Sequence, residues 1–170
     1  MPQTILLTSF ATWQPHQQSN SSDDLLEIVS YQNPYPQQLH FLRQIPVDFH
    51  IAPAQLLAKV DELQPSIILS CGMAESRCLL TVESNGKHGD EVITTPLDLE
   101  SLIAALRITA ISHDAGQFVC NWLYYSLLKY HREQQLQNHC LFVHVPVLTP
   151  QNLELVVPDF LTIMQRLLSL

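Results

Sequence analysis

The chain alternates short, strand-length apolar runs with longer amphipathic segments, and few folds accommodate that alternation. Residues 66–71 (Ser-Ile-Ile-Leu-Ser-Cys) and 140–145 (Cys-Leu-Phe-Val-His-Val) are nearly continuous in apolar side chains, as in strands covered on both faces of a parallel sheet. Residues 5–8 make a similar first strand, residues 39–47 read as extended, and residues 79–83 and 108–112 add shorter strands, the former stopped by Ser84-Asn85-Gly86. Between them lie helical patterns. A polar loop over residues 14–24 leads to a short helix capped by Ser22 or Asp23 and running through Ile28, and residues 31–36, with Pro34 and Pro36, predict a turn. Pro53 suits a first helical turn, and Leu56, Leu57, Val60 and Leu63 supply the stripe that follows it. Residues 99–107, capped by Thr95 or Asp98, residues 117–131, apolar almost all round, and residues 150–170, bent or restarted at Pro158, complete the set. Strands and helices in this order predict an α/β fold, a three-layer α/β/α sandwich, as one domain over residues 1–170 without internal repeats.

Composition narrows the function classes. At 170 residues with 46% hydrophobic and 14% charged, the chain can build a substantial core. Its formal net charge of -8 argues against nucleic acid as a partner, because phosphate binding needs a basic surface. The apolar runs are far shorter than a bilayer span, and the first residues, Met1-Pro2-Gln3-Thr4, lack a basic leader region, so the expectation is a cytoplasmic protein without membrane contact. The four cysteines, Cys71, Cys78, Cys120 and Cys140, form no C-x-x-C pair and read as free thiols, Cys71 and Cys140 in the core and Cys78 structural. No dinucleotide, P-loop or G-x-S-x-G signature is present, and the eight histidines lack metal-ligand spacing; His88-Gly89-Asp90, the nearest candidate, reads as a polar loop. No metal or cofactor is expected. Trp122, Tyr124 and Tyr125, at helical spacing, read as core or interface.

Of the four glycines, Gly72 follows a strand, Gly86 and Gly89 follow another, and Gly116 opens the helix that carries Cys120. Ligands of open α/β sheets bind beyond the carboxyl ends of strands, so these loops mark the candidate site. Cys120 falls in a first helical turn, where free N–H groups and the helix dipole favour a thiolate. His144 sits at a strand end before Pro146, a polar ring among Phe142, Val143 and Val145 that needs a hydrogen-bond partner. Glu83, ending residues 79–83, supplies a carboxylate able to orient an imidazole. Singly, each has an ordinary structural reading: core thiol, core histidine, solvated turn. As a set they are the parts of a cysteine nucleophile with its base and orienting acid.

These residues also carry a resemblance. Ala115-Gly116-Gln117-Phe118-Val119-Cys120-Asn121, followed by Tyr124-Tyr125-Ser126-Leu127-Leu128, resembles the nucleophile segment of the pyroglutamyl peptidase I family, A-G-[TS]-[FY]-V-C-N. Phe142-Val143-His144-Val145-Pro146 resembles its histidine segment at the usual separation, and Gly72-Met73-Ala74, Arg77 and Leu80-Thr81-Val82-Glu83 resemble its G-x-A-x-x-R-x-x-[IL]-T-x-E element. Leu6-Leu7-Thr8-Ser9-Phe10 is similar to its opening strand, with Trp13 on the second aromatic of the loop. The resemblance implies a phosphorylase/hydrolase-like fold with a mixed, mostly parallel sheet, no cofactor, and removal of N-terminal pyroglutamyl residues from blocked peptides. It implies Cys120 as nucleophile, His144 as general base and then acid, Glu83 as its orienting group, and Phe10, Trp13, Met73 and Phe118 around the substrate ring. Dimers or tetramers are common in that family.

The departures are specific. The family's G-F-x-P-F-G-G loop is replaced by Ser9-Phe10-Ala11-Thr12-Trp13-Gln14-Pro15, without its later glycines. The segment after Glu83 is shortened to Ser84-Asn85-Gly86-Lys87-His88 and lacks the R-V-A-x-N and R-x-P-D-N elements, including the arginine tied to the oxyanion site. Two alternatives therefore stand beside pyroglutamyl cleavage: a catalytically weak or inactive relative that binds a small ligand or partner protein, and a cysteine hydrolase with altered amide specificity, such as one for a related small cyclic amide.

Overall fold

The structure, a computed structural model, describes residues 3–170. Its elements run β1 (Ile5–Phe10), α1 (Ser21–Gln32), β2 (Leu39–Ile45), α2 (Ile51–Leu63), β3 (Ile67–Met73), β4 (Leu80–Glu83), β5 (Asn85–His88), β6 (Glu91–Thr94), α3 (Leu99–Ile103), β7 (Thr109–Ser112), α4 (Val119–Glu133), β8 (His139–Val145) and α5 (Pro150–Leu167). The main sheet has six strands in the order β2-β1-β3-β8-β4-β7. Strands β2, β1, β3 and β8 pair in parallel, β4 pairs antiparallel to β8, and β7 follows β4 in parallel, so the sheet is mixed and mostly parallel. No helix among the described residues is long and apolar enough to cross a membrane.

Alternation along the strands sorts the side chains into two layers. Ile5, Leu7, Ile67, Leu69, Cys71, Leu80, Val82, Leu141, Val143 and Val145 pack against the apolar stripes of α1, α3 and α5. Leu6, Phe10, Ile68, Cys140 and Phe142 pack on the other face, against α2 and α4. Even-numbered residues of β3 and β8, and odd-numbered residues of β4, thus face α4. That parity puts Gly72, His144 and Glu83 on the surface over which α4 begins.

Three boundaries differ from the sequence reading. Helix α1 starts earlier, because Asn20 rather than Ser22 or Asp23 is the cap: its Oδ1 accepts the Ser22 N–H at 3.1 Å, and its amide donates to Ala11 O at 3.1 Å. Helix α3 stops at Ile103, short of Arg107, with Ala105 in the left-handed region at φ 61°. Good helix formers there are overruled by tertiary bonds: Arg166 takes the Leu102 carbonyl at 2.7 Å, and Asp159 of α5 captures the chain beyond. The segment after Glu83 is an antiparallel hairpin, β5–β6, rather than a loop. It lies so close to α4 that a Cβ on Gly86 would come within 2.5 Å of the Tyr125 amide nitrogen, so only glycine permits the approach. Arg132 secures the hairpin's far strand through Glu91 at 2.6 Å, with Tyr125 donating to the same carboxylate. Cys71 and Cys140 are buried as expected, whereas Cys78 is exposed in the β3–β4 loop.

Asp159 is 3% exposed, and its carboxylate accepts from Arg107 N (3.0 Å), Ile108 N (2.8 Å) and the Thr109 hydroxyl (2.7 Å). Asp159→Ala strands these donors at the entry to β7. Urea unfolding should show a loss of about 2–4 kcal/mol, partly recovered in Asp159→Asn. A loss below about 0.5 kcal/mol, the range of an ordinary surface substitution, contradicts this role.

Candidate active site

Cys120 is the second residue of α4, after Phe118 closes the helix start in extended conformation. At that position its own N–H and those beside it have no acceptor within the helix, leaving free donors next to the sulfur. The sulfur rests on bare backbone: a Cβ built on Gly72 would lie 2.6 Å from Cys120 Sγ and 2.9 Å from Phe142 Cζ. Gly72 is the register partner of His144 in the β3–β8 pair, so the thiol sits one strand away from the imidazole. Among the hydrogen bonds of the described residues, none joins Cys120 to His144; Gly72 is what brings them to one patch.

Glu83 and His144, by contrast, are joined directly. His144, 5% exposed, has Nδ1 2.7 Å from Glu83 Oε1, and Glu83 is wholly buried. Glu83 lies diagonally across the antiparallel β4–β8 pair, opposite Phe142 while Thr81 is opposite His144, a separation that a long carboxylate and a ring can span. Burial alone would push the Glu83 carboxyl up, but the His144 hydrogen bond and charge, with the Arg77 guanidinium, hold it below its ordinary value. An ionised carboxylate only accepts, so the proton between the two belongs to Nδ1, and a neutral ring then carries its lone pair on Nε2. The thiol is shifted the opposite way. Cys120 keeps partial exposure at the residue level, but the protein packed around its sulfur pushes its pKa up to about 12; the Glu83 charge adds to this and Arg77 opposes it. At rest the site holds a thiol, not a preformed thiolate.

The residues expected around a substrate ring separate. Trp13 and Phe118, both about half exposed, lie tilted against each other with centroids 4.6 Å apart, and Phe49 meets Phe118 at 5.5 Å, edge on. Phe10 is 3% exposed and packed into the α2/α4 layer. Met73 turns to the opposite layer, its sulfur 3.4 Å from the Ser21 N–H of α1. The first loop is held by polar bonds in place of glycines: Ser9 Oγ donates to Asp23 at 2.6 Å, and Asp23 is gripped by Arg43 at 2.7 and 2.9 Å.

Sequence reading missed two contributors. Arg77 donates to Glu83 Oε1 and Thr81 Oγ1, each at 2.5 Å, and to Asp114 O at 2.7 Å, tying the buried acid to the loop before α4. Asn121 accepts the Lys87 N–H and donates to the Lys87 carbonyl, both at 2.8 Å, clamping β5 beside the nucleophile position. Both lay inside matched motifs, but only the triad residues had an obvious chemical role there. His88, considered above as a metal candidate, packs on Trp122 and Tyr125 instead.

Comparison with known proteins agrees with this geometry. The family described as pyroglutamyl peptidase matches residues 98–159, which contain Cys120 and His144. The pyrrolidone-carboxylate peptidase of Thermoanaerobacter sp. (strain X514) is 30% identical over 134 residues, 64% of this chain and 66% of that protein. The Vibrio campbellii (strain ATCC BAA-1116) pyrrolidone-carboxylate peptidase is 27% identical over 135 residues, 64% of this chain and 63% of that one. The chain thus spans just under two thirds of the length of these relatives. In fold the likeness is fuller. Pyroglutamyl peptidase I from Bacillus amyloliquefaciens superposes with a TM-score of 0.84 at 20% identity, covering 99% of this chain and 96% of that one. The pyrrolidone carboxyl peptidase of Fervidobacterium islandicum AW-1 gives 0.84 at 21% identity, covering 97% and 98%. Similarity through the segment that carries Cys120 and His144, on a fold shared along nearly the whole chain, relates this protein to the pyroglutamyl peptidase family.

Proposed function

We propose that the protein is a cysteine exopeptidase that removes N-terminal pyroglutamyl residues from peptides, with Cys120 as nucleophile, His144 as base and acid, and Glu83 as the orienting carboxylate. The observation that carries this reading is the Glu83–His144 bond, which aligns the imidazole on the sheet face where Gly72 seats the Cys120 sulfur. Because the resting thiol is protonated, its proton passes to His144 Nε2 as the sulfur attacks the carbonyl carbon. The free amides of the α4 start lie beside the sulfur and are the donors for the oxyanion. The tetrahedral intermediate collapses as His144 returns the proton to the leaving amine, giving a pyroglutamyl thioester. Water, deprotonated by the same ring, then releases the acid and restores the thiol. Glu83, fixed as a carboxylate, stabilises the imidazolium in both halves. Four free thiols fit a reducing compartment, and the cytoplasm is the proposed location.

One observation favours a second reading, a different cyclic amide as substrate. Trp13 lies tilted against Phe118 with ring centroids 4.6 Å apart, so a ring entering between them must displace the indole.

On a fluorogenic pyroglutamyl amide, Cys120→Ala should lose about 10^3-fold or more in kcat/KM, and survival of activity excludes the nucleophile assignment. The same assay with other lactam amides separates the two readings, since turnover confined to them identifies the second. Gly72→Ala should keep the fold but lower kcat by about 100-fold through displacement of the sulfur; an active variant shows that the seat is not needed.

Glu83→Gln should reduce kcat by about two to four orders of magnitude by favouring the wrong tautomer. A linked stability effect has a definite sign. Because the Glu83 pKa is lowered on folding, its ionised form adds stability in full above the ordinary value of 4.5, and that contribution is lost as pH falls through the lower, folded value. Urea midpoints measured between about pH 6 and pH 3 should therefore fall less steeply in Glu83→Gln than in wild type. Parallel curves rule out the ionised, buried carboxylate.

A further inference from the structure

Beside the α4 start lies a cleft of about 480 Å³, bounded by Phe49, Lys87, His88, Asp114, Gln117 and Trp122. Its walls are built rather than incidental. The Trp122 indole N–H donates to Phe49 O at 2.7 Å, its ring stacks on Tyr125 at 5.7 Å, and His88 meets it edge on at 4.9 Å. Asn121 fixes the hairpin wall through both polar groups of the Lys87 backbone, next to Cys120 in the chain. Phe118 links this cleft to Trp13: its ring centroid lies 4.6 Å from that of Trp13 and 5.5 Å from that of Phe49, a cleft wall.

We propose that this cleft is the subsite for the residue that follows the scissile bond, and that it selects an aromatic side chain there. The inference rests on the exopeptidase reading and adds a specificity to it. The cleft residues Gln117 and Asn121 flank the segment that carries Cys120, and Phe118 in that segment touches both Trp13 and Phe49; with the substrate ring against Trp13, the leaving peptide is assigned to the Phe49 side. The cleft does not select by charge sign: Lys87 and Asp114 stand 3.8 Å apart at its mouth and offset each other. What remains is three aromatic surfaces, from Phe49, Trp122 and His88, held at fixed angles that suit stacked and edge-on packing of another ring. The hairpin that forms one wall occupies the segment where the chain departs from the family pattern, so the selectivity belongs to this chain's own residues.

Two measurements test it. In turnover, wild type should cleave pyroglutamyl-phenylalanine amide with kcat/KM about tenfold or more above pyroglutamyl-alanine amide and pyroglutamyl-aspartate amide, and Phe49→Ala should shrink that ratio to about threefold or less. In binding, the leaving products are used alone: phenylalanine amide against alanine amide, followed by Trp122 fluorescence in a Trp13→Phe background. Phenylalanine amide should bind about tenfold more tightly, and Phe49→Ala should remove the difference. Equal binding of the two amides, or a preference untouched by Phe49→Ala, overturns the subsite. If neither pyroglutamyl peptide is cleaved while the Phe49-dependent binding preference holds, the exopeptidase reading falls and the aromatic-selective cleft stands.

Discussion

A fully buried glutamate is the most demanding group in this fold, and the surroundings of Glu83 follow from it. A carboxylate without solvent costs several kcal/mol unless charged or polar partners replace the water. Here the partners are His144 from the neighbouring strand and Arg77 from the β3–β4 loop, both on the same carboxylate oxygen, Oε1. Arg77 then holds the Asp114 carbonyl, so the loop that delivers α4 is fastened to the acid that orients the base. One burial problem thereby sets the relative positions of β4, β8 and the helix start. Arg77 touches none of the reacting atoms in the proposed chemistry; its place is in fixing the charge state and position of the carboxylate bonded to His144.

The order of layers was readable because burial on both faces leaves a plain trace: the apolar runs of β3 and β8 admit few other assignments. The thiol, imidazole and carboxylate were readable for a different reason, since each is an odd choice for its local setting, and their segments matched a family in order. The β5–β6 hairpin was not readable by the same means. Its strands are four residues each, partly exposed and polar, so apolar periodicity carries almost no signal there. Gly89-Asp90 between Lys87-His88 and Glu91-Val92 was the available clue, a two-residue turn that favours glycine at its first position. Helix α3 shows the reverse failure, where strong local propensity through Ala104-Ala105 yields to the capture of the next segment by Asp159.

The roles expected for Phe10 and Met73 show a limit of carrying positions over by pattern. Both sit at the ends of strands that lead to the site, yet alternation sends Met73 to the α1 layer, and packing takes Phe10 into the α2/α4 core. The loop that follows Phe10 is also held differently, by Asp23, Arg43 and Ser9 rather than by glycine flexibility, and it presents Trp13 against Phe118. In the proposed reading the chemistry is carried by sheet register and the α4 start, and recognition by the first loop and the hairpin packed beside them.

Because the layer a side chain joins depends on whether its strand position is odd or even, the strand-borne part of the candidate site, Gly72, Glu83 and His144, is encoded in a counting rule. A single residue inserted early in β8 would leave every named side chain in the sequence, yet rotate His144 into the layer occupied by α5 and offer a valine to Glu83 in its place. The chain is correspondingly intolerant of length changes inside β3, β4 and β8, however conservative their composition, and equally in the β3–β4 loop and the loop before α4, which Arg77 ties together.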